Sequence, residues 1–338
     1  MKRFFILMII FLMVFIAACS TQAAPATTQT PEPTIRITPT KLVITYKNVG
    51  KLERHEENDQ IKYTWFSYVP RSINKIVGNE PIYILVLCAN ATMSGDYKIA
   101  ERDMEYCIHG RTDWAESHKF ILLTPVIPRD LHTPIYAVAF DRRIFTKVDP
   151  FFQRPDLEVV KMISILKQDL EEGKIDVKEK VFVEGFSAGG MFAQRFTLLH
   201  PELVKAIAAG QSGGALTLPV EEFKNRKMDW PLGIYGFEQL TGKPFNMDAY
   251  RDVSQFIYVG SEDNSNSTVH YGNEIWNNSQ VNTLNIFGKT DPSRINSQVE
   301  YLHSKGLNNI HFKLYPGYKH NYYQDQITDI FDFFEENK

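Results

Sequence analysis

Between residues 181 and 199 the chain passes from an apolar run to a helical pattern with no linker, and few folds accept that. Val181 to Glu184 (VFVE) reads as a strand. Gly185-Phe186-Ser187-Ala188-Gly189 follows at once, and Ala188 to Leu199 (AGGMFAQRFTLL) reads as a helix that stops at His200-Pro201. A strand that bends directly into a helix needs a tight turn, and glycines on both sides of Ser187 let the two backbones pass closely. The same turn projects the serine hydroxyl at the edge of a sheet, beside a helix N-terminus.

The rest of the chain repeats that rhythm from residue 41 onward. Leu42 to Tyr46, Lys62 to Val69, Ile82 to Leu87, Phe120 to Val126, Val204 to Ala209, Phe256 to Val259 and Ile310 to Tyr315 read as strands. Tyr97 to His118, Leu157 to Glu172, Ser293 to Lys305 and Gln324 to Phe334 read as helices, and Gly306 is placed to cap one of them. Ile82 to Leu87 (IYILVL) is continuously apolar, as a strand buried on both faces must be. The alternation predicts an α/β fold with a doubly wound, mostly parallel sheet, whose binding site lies at the carboxyl ends of the strands. Two stretches interrupt it: residues 215–255, rich in Pro, Trp, Tyr and Phe, and residues 264–290, rich in Asn and Ser. At 43% hydrophobic and 23% charged the composition is that of a globular chain, and a net charge of -3 leaves no basic excess for nucleic acid.

Two serines satisfy the Gly-x-Ser-x-Gly pattern, and their surroundings separate them. Ser187 has a strand before it and a helix after it. Ser212, in Gly210-Gln211-Ser212-Gly213-Gly214, is followed by ALTLPV, which is no helix, so it reads as part of a turn leaving a strand. Ser187 is therefore the candidate nucleophile. A base is expected late in the chain, and His320 stands just after the strand IHFKLY. His200, between a helix end and Pro201, reads as a surface cap. For the acid, Asp263 follows the strand FIYV through Gly260-Ser261-Glu262. Asp291 lies nearer to His320 in sequence but follows a weaker strand candidate, QVNTLNIF, and Glu262 is a further alternative. Asp263 is preferred because only a strand end fixes a carboxylate in space. No HExxH or comparable metal-ligand spacing is present, so neither metal nor cofactor is expected.

These segments together, VFVEGFSAGGMFA, AGQSGG, FIYVGSEDN and YPGYKH, resemble the α/β-hydrolases from about Tyr63 to the chain end. More narrowly they resemble the esterase and polyhydroxybutyrate-depolymerase-like branch. The resemblance implies a Ser187, Asp263, His320 triad in that chain order, and an acyl-enzyme mechanism on an ester substrate. It also implies an oxyanion hole from the Ala188 N–H and a second N–H after the third strand. There the family often has His-Gly and this chain has Cys88-Ala89-Asn90-Ala91, so Ala89 or Asn90 is the expected donor. Residues 215–255 lie where the fold usually carries a lid, with Trp230, Tyr235, Phe237, Phe245 and Tyr250 as candidate lining, although packing is the commoner role for each.

The amino-terminal segment carries a separate signal. Met1-Lys2-Arg3 precedes an apolar run from Phe4 to Ala18, shorter than the roughly 20 residues of a spanning helix. The run ends Ile16-Ala17-Ala18-Cys19, which resembles the lipobox of bacterial lipoproteins. That implies a signal peptide over 1–18, acylation of Cys19, and a membrane-anchored, extracytoplasmic protein. Residues 19–40, rich in Thr, Pro and Ala, read as a tether, leaving 41–338 as the hydrolase domain. Three cysteines exclude a disulfide scaffold. Cys88 and Cys107 are read as a disulfide or as two buried thiols. Three functions fit: an extracytoplasmic carboxylic-ester hydrolase, which leads, a serine peptidase of the same fold, and a non-catalytic surface-binding lipoprotein.

Overall fold

The structure is a computed structural model that describes residues 44–75, 80–89, 96–127, 137–146, 149–263 and 276–338. Cys19, the tether, Asn90 and residues 264–275 of the Asn-rich stretch lie outside the described residues. Thr40–Lys338 forms one compact unit.

Its frame is an eight-stranded sheet. In chain order the strands are β1 (Leu52–His55), β2 (Trp65–Tyr68), β3 (Tyr83–Cys88), β4 (Phe120–Pro125), β5 (Val181–Phe186), β6 (Val204–Gly210), β9 (Ser254–Gly260) and β10 (Ile310–Tyr315), with β7 (Glu222–Phe223) and β8 (Arg226–Lys227) forming a separate hairpin. The spatial order is β1-β2-β4-β3-β5-β6-β9-β10. The pairs β1·β2 and β2·β4 are antiparallel, and every later pair is parallel. This is the doubly wound sheet that the strand–helix alternation predicts.

The period of two along each strand sorts its side chains into two cores. On β3, Ile84, Val86 and Cys88 join one cluster, whereas Tyr83, Leu85 and Leu87 join the other. The first cluster is covered by α3 (Pro155–Glu172) and α4 (Ala188–Leu199), through Val159, Met162, Ile163, Met191 and Phe192 among others. The second is covered by α1 (Tyr97–His109) and the closing helix α9 (Gln324–Glu336), through Met104, Ile108, Phe331 and Phe334. Helices on both faces explain why the central strands read as unbroken apolar runs. Every residue of α4 is buried, because it is wedged between the sheet and the segments around it.

Three sequence expectations need correction. Ile44 to Tyr46 is not a strand: the N–H groups of Thr45 and Tyr46 donate to Gly173 O at 2.9 and 3.2 Å, so this segment runs along the end of α3. The helix expected over 97–118 is two helices, α1 and α2 (Thr112–His118), split at Gly110-Arg111. Gly110 closes α1 with its N–H on Tyr106 O at 3.0 Å. Arg111 leaves the helical path and turns its side chain to Glu184 of β5. The segment before Gly288 is a helix, α7 (Asn278–Phe287), started by a reciprocal Asn277–Gln280 cap, and not a strand. It is followed by α8 (Asp291–Ser304), and two short helices, α5 (Phe237–Thr241) and α6 (Met247–Arg251), precede it in the chain.

Candidate active site

Ser187 stands at the carboxyl end of β5 and the N-cap of α4, with φ 58° and ψ -118°. Such a backbone costs a residue with a Cβ about 1–3 kcal/mol, and it persists where the surroundings hold it. Here the Ser187 N–H donates to Gly210 O at 2.8 Å. Neighbouring glycines complete the turn. A Cβ on Gly185 would lie 2.0 Å from Gly189 O, and one on Gly189 would lie 2.0 Å from Cys88 O. The end of β3 is thus pressed against the first turn of α4, where the leading N–H groups have no intrahelical acceptor.

The structure brings Ser187, His320 and Asp263 together from three strand ends. His320 Nε2 lies 2.9 Å from Ser187 Oγ, and His320 Nδ1 lies 2.9 Å from Asp263 Oδ2. A carboxylate facing Nδ1 selects the tautomer with its proton there, so that Nδ1–H donates to Asp263 and Nε2 accepts from the Ser187 hydroxyl. Asp263 is buried and His320 half-buried. Their two loops are joined: the Gly317 N–H donates to Ser261 Oγ at 2.8 Å, and the Glu262 N–H to Tyr318 O at 2.9 Å. Gln211, to which the sequence reading gave no role, also acts here. Its Nε2 donates to Lys319 O at 2.9 Å, one residue before His320. Its backbone has φ 45°, which turns the side chain off the end of β6.

The other candidates lie elsewhere. Ser212 is buried against the first turn of α4, where a Cβ on Gly190 would meet its Oγ at 2.9 Å. Asp291 is buried at the start of α8 and accepts from Arg294 Nη1 at 2.8 Å, which gives it a structural partner far in kind from an imidazole. Glu262 is exposed. His200 is not a surface cap: it is buried, with Nε2 3.0 Å from Asp156 Oδ2, and Asp156 also accepts a bidentate pair from Arg154.

Ser187 and His320 open into a cleft of about 570 Å³. Ala89 lines it, and Ala188 begins the helix that follows Ser187. The aromatic residues of 215–255 do not line it. Trp230, Phe237 and Tyr250 are buried in the core, Phe245 packs between Phe237 and Tyr250, and Tyr235 stands beside Lys227. The cleft opens on the opposite face of the sheet, where α1 supplies Tyr106 and Cys107 and the histidine loop supplies Tyr322. Cys88 and Cys107 are both free and both line it. Burial pushes the Cys107 thiol up to about 11 and the Cys88 thiol well above its ordinary value, so both stay protonated at neutral pH.

At the cleft wall lies a polar cluster that the sequence reading did not find. Arg111 Nε and Nη2 donate to Glu184 Oε2 and Oε1 at 3.2 and 3.0 Å, and the Tyr322 hydroxyl donates to the same carboxylate. Burial opposes the charge on Arg111, but Glu184 outweighs it and holds the guanidinium protonated. Burial, with Glu184 beside it, raises the Tyr322 phenol, which keeps its proton. Among the described residues no group of three or more His, Cys, Asp or Glu side chains is placed to hold a metal ion.

A sheet of this order, with a serine on the strained turn after β5 and a histidine after the last strand, is the α/β-hydrolase fold. Solved structures agree. The fold is shared with poly(aspartic acid) hydrolase-1 of Sphingomonas sp. KT-1, at TM-score 0.56 and 17% identity over 81% of this chain and 94% of that one. It is shared also with a poly(3-hydroxybutyrate) depolymerase of Bordetella parapertussis, at TM-score 0.53 and 19% identity over 85% of this chain and 90% of that one. No family model matches the sequence, and no curated protein is similar to it in sequence.

Proposed function

We propose that the protein is a serine hydrolase of carboxylic esters that works through an acyl-enzyme. The reading rests on one observation, the unbroken relay Asp263–His320–Ser187 with both contacts at 2.9 Å. In the first half-reaction His320 Nε2 takes the Ser187 proton as Oγ attacks the ester carbonyl. The carbonyl π electrons move to oxygen, and the oxyanion sits near the Ala188 N–H and a second N–H from Ala89 or Asn90. Asp263 orients the ring and stabilises the imidazolium. One such oxyanion donor is worth about 3 kcal/mol in the transition state. The tetrahedral centre collapses, the alcohol leaves with the proton from His320, and Ser187 keeps the acyl group. Water, deprotonated by His320, then attacks the acyl-enzyme, and acid and free Ser187 are released. Both fold neighbours are hydrolases of polymers by name, which supports hydrolysis as the reaction class and leaves ester against amide to experiment.

The amino-terminal lipobox-like segment supports placing this activity outside the cytoplasm, on a membrane surface to which acylated Cys19 attaches the tether. Multiple acyl chains, at roughly 0.8 kcal/mol per buried CH₂, anchor such a protein firmly.

The test compares a 4-nitrophenyl ester with the matching 4-nitroanilide, for the wild type and for Ser187→Ala. The proposal expects ester turnover that exceeds anilide turnover and is lost in Ser187→Ala. Faster anilide turnover would make the protein a peptidase or amidase, and equal ester turnover in the variant would remove Ser187 from the chemistry.

A further inference from the structure

The wall of the cleft carries a fixed hydrogen-bond donor that the hydrolytic chemistry does not use. Arg111 lines the cleft with Ser187 and His320. Its Nε and Nη2 are held by Glu184, and its guanidinium lies 4.8 Å from the centre of the Tyr322 ring. The Tyr322 ring packs on Phe186 at 5.2 Å, and Phe186 on His320 at 5.1 Å. The guanidinium is therefore locked in position and direction relative to the imidazole through two aromatic contacts. Its Nη1 makes no hydrogen bond among the described residues, while the side chain keeps 16% of its surface open. A donor immobilised in this way binds an acceptor without a further loss of side-chain freedom.

The charge around it restricts what it accepts. Arg111 is the only lysine or arginine among the described residues of the cleft, and two carboxylates, Glu184 and Asp103, line the same space. Glu184 already balances the guanidinium charge, and Asp103 has Arg102 beside it at 3.5 Å, so an anionic substrate group gains no net charge attraction here. An uncharged oxygen takes the same hydrogen bond and loses less hydration than an anion on entering the cleft. The remaining wall is apolar or aromatic, with Leu87, Ala89, Tyr106 and Phe186.

We infer that Arg111 is a specificity-determining residue, whose Nη1 binds an uncharged oxygen acceptor on the substrate arm that enters the cleft. The preferred substrates are then neutral esters with a second oxygen, a ketone, ether, hydroxyl or further ester carbonyl, and not polyanions. This inference rests on the proposed ester hydrolase activity.

The test uses three matched series of 4-nitrophenyl esters, whose acyl chains carry a ketone oxygen at successive positions, a methylene there, or a terminal carboxylate. A parallel set of acetates carries the same groups on the alcohol side. For the wild type, the ketone series should exceed the methylene series in kcat/KM by about tenfold at one position, and the carboxylates should not exceed the methylenes. Arg111→Lys keeps the charge and removes the fixed Nη1, and should bring that ratio close to one. The double variant Arg111→Met/Glu184→Gln, which leaves no buried charge unpaired, should do the same. A wild type with no ketone advantage, a preference for carboxylates, or an advantage that survives in Arg111→Lys would overturn the inference while leaving the hydrolase reading intact. No turnover of any ester, with Ser187 inert to a fluorophosphonate, would overturn both.

Discussion

Asp263 and Asp291 are both buried aspartates in the carboxyl-terminal part of the chain, and their partners give them different work. Asp263 faces His320 Nδ1, whereas Asp291 faces the guanidinium of Arg294, itself bound to Gly214 O at 2.7 Å. Replacing Asp263 by Asn keeps the shape and reverses the tautomer preference, so kcat should fall about 10⁴-fold with the fold intact. Replacing Asp291 by Asn leaves Arg294 buried without its counter-charge. Stability should then drop by about 3 kcal/mol, with kcat largely retained. Steady-state kinetics and urea unfolding of the two variants measure both effects. An activity loss confined to Asp291→Asn would reverse the assignment. At this scale Ser187, His320 and Asp263 could be read from the sequence because each follows a strand, and a strand end fixes its side chain in space. Arg111, Glu184, Gln211 and the buried state of His200 could not. Their meaning comes from contacts spanning 73, 108 and 44 positions, for which no local pattern exists.

The elements around the site hold its histidine from below and from the side. Ser261 and Glu262 join the β9 loop to the β10 loop, and Gln211 at the end of β6 fixes Lys319 O. Gln211 does not touch the reacting atoms, so its effect runs through the place of His320. Gln211→Ala should lower kcat about tenfold with KM nearly unchanged. A change in KM with kcat preserved would mean that Gln211 acts on the substrate and not on the histidine. The parallel strands were visible in the sequence because helices cover both faces of the sheet and force continuous apolar runs. The break between α1 and α2 was not, since one glycine inside a helical pattern is often tolerated and the cause lies in the distant Glu184. α7 was misread as a strand because its apolar residues are few and its Asn277–Gln280 cap, rather than periodicity, starts it.

Across the whole molecule, one buried cluster away from the cleft contributes to the response to acid. Burial opposes the charge on Asp156, but hydrogen bonds from Arg154 and His200 outweigh it, and its carboxyl is lowered from 3.8 to about 2. A depressed folded pKa contributes stability that is complete above the unfolded value and is lost as pH falls through the folded one. The contribution is about 2 kcal/mol above pH about 4 and disappears toward pH about 2. The stability gap between the wild type and Asp156→Asn should therefore narrow over that range in urea unfolding. A gap constant from pH 5 to 2 would contradict the linkage. The same scale explains why the aromatic residues of 215–255 do not line the cleft. The aromatic wealth of residues 215–255 is spent on the core, with Trp230 Nε1 donating to Phe140 O at 2.7 Å, while the cleft forms on the face where α1 packs.

The central claim is that the hydroxyl of Ser187 is activated by His320 and Asp263. The most direct measurement is mass-spectrometric mapping of a fluorophosphonate adduct on the intact protein and on His320→Ala. The account predicts one adduct, on the peptide containing Ser187, formed at least a hundredfold more slowly in the variant. An adduct on Ser212 or elsewhere, or equal rates in the two proteins, would contradict it.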